Sequence, residues 1–168
     1  DSIGHQFMTR GGYVDQLASG IYSMLPLGWR VHHNIEEIIR DEMNKIGGQE
    51  VTLPSLQPSS LWKESGRLDK MDPPLFRVTD RHKRELVLGP THEEVMTDLA
   101  RNYISSYKDL PVALFQIQTK FRNEMRATGG LLRVREFTMK DLYSFHKTKK
   151  DLADYYIEVE KAYRGIFK

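Results

Sequence analysis

Between positions 115 and 124 the side chains alternate without a break. Phe115, Ile117, Thr119 and Phe121 share one side, and Gln116, Gln118, Lys120, Arg122 and Glu124 share the other. A period of two predicts a strand with one core face and one polar working face. A glycine-bearing turn over 127–130 follows, and a second strand over 132–139 places Arg133, Arg135 and Phe137 on a common side.

Elsewhere the period lengthens. Val31, Ile35, Ile38, Ile39, Met43 and Ile46 recur at three- and four-residue intervals and predict a helix over 29–46. Gly47 and Gly48 end it, as residues suited to a left-handed cap. Residues 50–53 read as a strand closed by Pro54, whose missing N–H confines that strand to an edge or ends it there. Upstream, Gly11, Gly12, Gly20, Pro26 and Gly28 break residues 5–28 into short irregular pieces. Residues 58–67 predict a loop and a short helix, and strands over 75–78 and 85–88 flank the polar turn TDRHKR as a hairpin. Thr91 and Glu94 have the spacing of a capping box, so a helix starts at Thr91, with Val95, Leu99 and Tyr103 on one face. A last helix carries Leu152, Tyr155, Tyr156, Val159, Tyr163 and Ile166 as a stripe read as core. Mixed strands with helices against them predict an α+β fold, an antiparallel sheet flanked by helices.

Composition narrows the chemistry. At 168 residues, 39% apolar and 29% charged, the chain is a one-domain globular protein large enough for a real core. No window approaches the ~20 apolar residues of a membrane helix, so no membrane partner is expected. Cysteine is absent, which removes disulfides and thiolate chemistry, and the six histidines are scattered apart from His32 and His33, so no metal site is expected. A net charge of +2 does not by itself argue for nucleic acid. The start at Asp1, without methionine, suggests a trimmed or partial polypeptide.

Arginines, a carboxylate and an aromatic ring gathered on a hairpin suit a polyphosphate carrying a flat base. The order FRNE, a short glycine loop and LRVREF resembles motif 2 of the class II aminoacyl-tRNA synthetases, and QIQTKFRNE with REFTMKDLYSFH is similar to the bacterial-type prolyl-tRNA synthetases. The long helix, glycine break, strand and proline over about 28–56 resemble motif 1, THEE resembles the family's Thr-x-Glu element at 91–93, and motif 2 spans about 116–141.

The resemblance implies the class II catalytic fold and a two-step reaction. L-proline and Mg2+-ATP give prolyl-adenylate, and the prolyl group passes to the acceptor end of tRNA(Pro). It implies Arg122 between the α-phosphate and the amino-acid carboxylate, and Thr91 and Glu93 on the pyrrolidinium nitrogen. For ATP it implies Arg133 on the phosphates, Glu124 and the backbone at Val134 on the adenine side, and Phe137 stacked on the base. Physics alone gives Glu93 no necessary role beyond a favourable charge at a helix start. Arg135 is read as bracing the hairpin, and the Gly129–Gly130 loop either as a tRNA contact or as a plain flexible turn. Motif 1 implies a homodimer, and the family a cytoplasmic location with an organelle as the alternative. Nothing after His146 resembles motif 3, and no editing or anticodon-binding domain is present, so residues 1–168 read as a partial catalytic domain from the N-terminal part of such an enzyme. A synthetase-like module binding a nucleotide or a partner without catalysis stays open, as does another class II specificity such as threonyl.

Overall fold

The computed structural model describes residues 2–168. The glycine-rich start is more regular than its punctuation predicts. Helix α1 (Ile3–Arg10) is capped by the Ser2 side chain, which accepts from the His5 amide at 3.2 Å, and strands β1 (Val14–Ala18) and β2 (Ile21–Met24) form an antiparallel hairpin. Gly20, at φ +72°, turns the corner of that hairpin, so it marks a tight turn between strands and not an irregular run.

Helix α2 (Pro26–Lys45) starts three residues before the expected position 29 because Pro26 sits in its first turn, where a missing N–H costs nothing. Only part of that stripe is core. Ile39, Met43 and Ile46 pack with Phe115 and Ile117, whereas Val31, Ile35 and Ile38 are about half exposed.

The central sheet has the order β3-β7-β8. Strand β7 (Val112–Phe121) runs antiparallel to β8 (Glu136–Phe145), with Phe115 opposite Leu142 and Lys120 opposite Phe137. The second strand was expected over 132–139. It begins at Glu136 instead, since Thr128 and Arg133 meet in an isolated bridge and the chain between them is a closed loop. Strand β3 (Gln49–Glu50) is shorter than expected and pairs parallel with β7, which makes this edge of an otherwise antiparallel sheet mixed. The Gln118 side chain takes over where the ladder stops, accepting from the Leu53 amide at 3.0 Å and donating to the Leu53 carbonyl at 2.7 Å.

A second sheet of order β4-β6-β5 contains β4 (Leu56–Pro58), β5 (Phe76–Thr79) and β6 (Glu85–Leu88), with β5 and β6 forming the expected hairpin. Short helix α3 (Ser59–Glu64) delivers Trp62 to a core of Leu68, Leu75 and Val87. The main core lies on the other side of the molecule's central sheet, where α2 and α5 (Lys149–Ile166) bring Met43, Ala162 and Ile166 against Phe115 and Leu142.

Three sequence expectations are corrected. Helix α4 (Glu93–Tyr103) starts at Glu93 with His92 as its cap residue and no side-chain cap bond, so Thr91 and Glu94 form no capping box. Its buried face is Met96 and Ala100, while Tyr103 is exposed. The α5 stripe is core only at its end. Leu152, Tyr156 and Tyr163 are exposed along a groove of about 540 Å³ that also takes in Lys140 and Leu142 of β8.

Candidate active site

The polar face of β7 is not a solvated surface. Gln116 and Lys120 are fully buried, and with Asp141, opposite Gln116 on β8, they form the floor beneath the segment that joins β6 to α4. Two hydrogen bonds seat that segment from the side. Phe121 N–H donates to the Gly89 carbonyl at 3.0 Å, and Gln57 Nε2 donates to the Thr91 carbonyl at 3.2 Å. Gln57 is itself fully buried and fixed, since its Oε1 accepts from Trp62 Nε1 at 2.9 Å.

On this support a cavity of about 280 Å³ opens, lined by Arg67, Met71, Asp72, Pro73, Pro90, Thr91, Glu93 and Arg122. Thr91, Glu93 and Arg122 come from two distant parts of the chain and line the same cavity. Arg122 has no carboxylate within ion-pair distance among the described residues, and its guanidinium lies 5.2 Å over the Phe137 ring. Arg67 differs, with Nη1 at 3.3 Å from Glu93 Oε2 and 3.0 Å from Glu94 Oε1. Glu94 is almost fully buried, and Ser65 Oγ also donates to it at 2.9 Å. The residue expected to cap α4 therefore anchors Arg67. Its carboxylate is a mount for the cation that faces Glu93.

The expected nucleotide residues lie beside this cavity and not in it. Arg133 pairs with Glu124, its Nη2 2.6 Å and its Nε 2.8 Å from Glu124 Oε2. Val134 is buried, and Phe137 lines a separate hollow with Thr119, Val134 and Thr138. Arg135 donates to the carbonyls of Ser19 and Glu124, as a brace between the loop and the β1-β2 corner would. Gly129 and Gly130 both have positive φ, which the tight loop requires.

Below the cavity, Lys120 Nζ is 3.0 Å from Asp141 Oδ2 and 2.5 Å from His92 Nδ1. His92 Nε2 meets the Pro54 carbonyl at 3.1 Å. Burial holds the His92 imidazole down at a pKa of about 4, and the Lys120 charge acts the same way, so it is neutral at pH 7. Burial also pushes the Lys120 ammonium below its ordinary value, against the pull of Asp141. These floor residues and Arg67 were not singled out from sequence for this site. The one available signal was Lys120 itself, a lysine near the end of a strand otherwise free of charged residues.

A family model for the tRNA synthetase class II core domain (G, H, P, S and T) matches residues 76–168. The chain belongs to this family of class II synthetase cores. It is 50% identical over its whole length to the proline–tRNA ligase of Thermotoga maritima, of which it spans 29%. Over 98% of its length it is 56% identical to the proline–tRNA ligase of Ruthia magnifica, of which it spans 30%. Among solved structures, a Giardia lamblia prolyl-tRNA synthetase in complex with prolyl-adenylate superposes with a TM-score of 0.90 at 26% identity, covering 97% of this chain and 34% of that one. The α+β class II core expected from the sequence is thus the observed fold.

Proposed function

We propose that this chain is the part of a proline–tRNA ligase that activates L-proline with Mg2+-ATP and passes the prolyl group to tRNA(Pro). The observation that carries the reading is the cavity in which Thr91, Glu93 and Arg122 converge. Its volume of about 280 Å³ suits a small amino acid. Its charges suit a zwitterion, since its lining includes an unpaired guanidinium, a carboxylate and a hydroxyl. A pyrrolidinium has two N–H donors that need acceptors once desolvated, and Glu93 and Thr91 supply them.

Arg122 then holds the substrate carboxylate against the α-phosphate and stabilises the charge that builds on the phosphate oxygens as pyrophosphate leaves. Alignment and charge stabilisation suffice for that step, and no protein nucleophile is required. Arg133, Glu124, Val134 and Phe137 form the nucleotide side. For this, ATP takes over the guanidinium face of Arg133 that Glu124 now engages. Among the described residues no group of three or more histidines and carboxylates could hold a metal. In this reading magnesium enters as the partner of the nucleotide phosphates.

The half-exposed residues Trp29, Val31, Ile35 and Ile38 on α2 support a homodimer through motif 1, because such a stripe is costly to leave in water. The test is ATP–pyrophosphate exchange by the full-length enzyme with proline, alanine and threonine in turn. Exchange with proline alone is expected. Exchange that favours threonine, or none with any amino acid in a folded protein, would refute the assignment.

A further inference from the structure

Arg67 lines the cavity with one nitrogen shared between two carboxylates. Its Nη1 donates to Glu93 Oε2 at 3.3 Å and to Glu94 Oε1 at 3.0 Å. The two acceptors are unlike. Glu93 is half exposed and belongs to the cavity lining, whereas the Glu94 side chain is only 3% exposed and lies outside it. Glu94 Oε1 is already well served, since it also accepts from Ser65 Oγ at 2.9 Å. Glu94 Oε2 is buried and has no hydrogen-bond partner. A buried carboxylate oxygen without a donor is costly, and a guanidinium has the planar fork of N–H groups that engages both oxygens of one carboxylate. The guanidinium also lies 5.3 Å over the ring of Trp62, which is fully buried. Arg67 therefore has a firm hold on Glu94 and Trp62 and a loose one on Glu93, because an ion pair between exposed groups is weak in water.

We infer that Arg67 competes with the ligand's ammonium group for Glu93 and yields to it by turning onto the unpartnered oxygen of Glu94, so that the Arg67–Glu94 pair sets how readily the site accepts an amine. A ligand gains Glu93 only if its own N–H donors can replace those of a guanidinium. An acid without an amine has nothing to offer there, and it leaves the Arg67–Glu93 contact as it stands. The threshold is set from behind, by how strongly Glu94 draws Arg67 away from the cavity. Glu94 is thus a positioning residue, which reaches the ligand only through Arg67. The inference rests on the proposed reading of Glu93 as part of the amine end of the amino-acid site.

The two residues give changes of opposite sign. In the full-length enzyme, Arg67→Met removes the competitor, and the Michaelis constant for proline in ATP–pyrophosphate exchange should fall about two- to fivefold, the range of an exposed ion pair. Glu94→Gln weakens the rear hold and leaves Arg67 more fully on Glu93, so the same constant should rise about two- to fivefold. In the double variant there is no guanidinium left for Glu94→Gln to release, and the constant should stay at the Arg67→Met value. The Michaelis constant for ATP should move less than about twofold throughout. Tetrahydrofuran-2-carboxylate, which has a ring oxygen where proline has its N–H donors, is the control ligand, and its inhibition constant should not fall in Arg67→Met. Damaged packing around the cavity would raise the proline constant in every variant, and it cannot lower it in one and raise it in another.

A folded Arg67→Met enzyme whose Michaelis constant for proline is unchanged or raised, or which no longer exchanges, would overturn the inference and leave the proposed function standing. The double variant strands neither charge, so it carries the same test if one of the single variants does not fold. Equal effects of Glu94→Gln with and without Arg67 would also overturn it, since Glu94 would then act by another route. Absence of proline-dependent exchange in the unaltered enzyme would overturn the proposed function, and this inference with it.

Discussion

Replacing Gly89 by alanine puts a single methyl group against the support of the site. Gly89 has no positive φ, so by backbone entropy alone the change would stabilise the protein by about 0.4–1 kcal/mol. Packing opposes it. The new Cβ would collide with Gln57 Nε2 and lie 3.0 Å from Gln57 Cδ. An exposed glutamine would swing aside at little cost, but Gln57 is fully buried and bonded at both ends, to the Thr91 carbonyl at 3.2 Å and to Trp62 Nε1 at 2.9 Å. Moving it strands a buried carbonyl and a buried indole N–H, each worth about 1–3 kcal/mol. Packing wins, and the net cost should be about 2–4 kcal/mol. Urea unfolding of Gly89→Ala, Gln57→Ala and the double variant measures it as a thermodynamic cycle. With Gln57 truncated the methyl group has room, so the cost of Gly89→Ala should nearly vanish in that background. A Gly89→Ala change that stabilises the protein, or that costs the same in both backgrounds, would refute the reasoning.

Arg122→Ala should lower proline-dependent exchange by a factor of about 100 or more, in line with the ~3–4 kcal/mol lost when a charge-stabilising donor is removed, and leave the melting temperature unchanged because Arg122 holds no ion pair. A concurrent drop in melting temperature would assign it a structural role. Glu93→Gln should abolish use of proline with little effect on stability, whereas Glu94→Gln should cost about 1.5–3 kcal/mol in urea unfolding, since its buried carboxylate accepts from both Ser65 and Arg67. Equal behaviour of the two variants in both assays would contradict the assignment of Glu94 as the mount of Arg67. The pH dependence follows from His92. Its folded pKa of about 4 lies below its ordinary value, so the unfolded chain binds the extra proton, and stability should fall as pH drops from about 6.5 toward 4. In His92→Asn, urea midpoints should lose the part of the pH slope that lies in this window.

Where a pattern is local, the sequence carried it. The alternation at 115–121 located β7, the polar turn located the β5-β6 hairpin, and the three- and four-residue spacings located α2 and α5 to within a few residues. The convergence of Thr91, Glu93 and Arg122 was also legible, through the resemblance of their motifs. A period of two says which residues share a face but not what covers it. The polar face of β7 therefore read as a working surface, although Gln116 and Lys120 are fully buried, Lys120 against His92, a residue 28 positions away. The capping box failed for a related reason. Spacing placed Glu94 within reach of the Thr91 backbone, but a buried carboxylate is better satisfied by Arg67 and Ser65, which local spacing does not reveal. The β1-β2 hairpin was hidden by its own glycines, since Gly20 makes a turn that the density of glycines disguised.

The charges around the cavity are not balanced evenly, and under the proposed function the imbalance would orient the ligand. Glu93 faces the Arg67 guanidinium at 3.3 Å, Arg133 is taken by Glu124, and Arg122 alone has no counter-charge among the described residues. A zwitterion entering this cavity finds its carboxylate partner free, and it must compete with Arg67 for Glu93. Arg67 and Glu93 are both substantially exposed, so that contact is weak in water and easily exchanged. The Arg67–Glu94 bond is stronger because Glu94 is buried, and it keeps Arg67 in place after Glu93 has turned to the ligand. The amine end is thus set by selection among acceptors, and the carboxylate end by simple charge. Under the proposed function, this division would put specificity at Thr91 and Glu93 and the attacking oxygen at Arg122, where the developing phosphate charge also needs a cation.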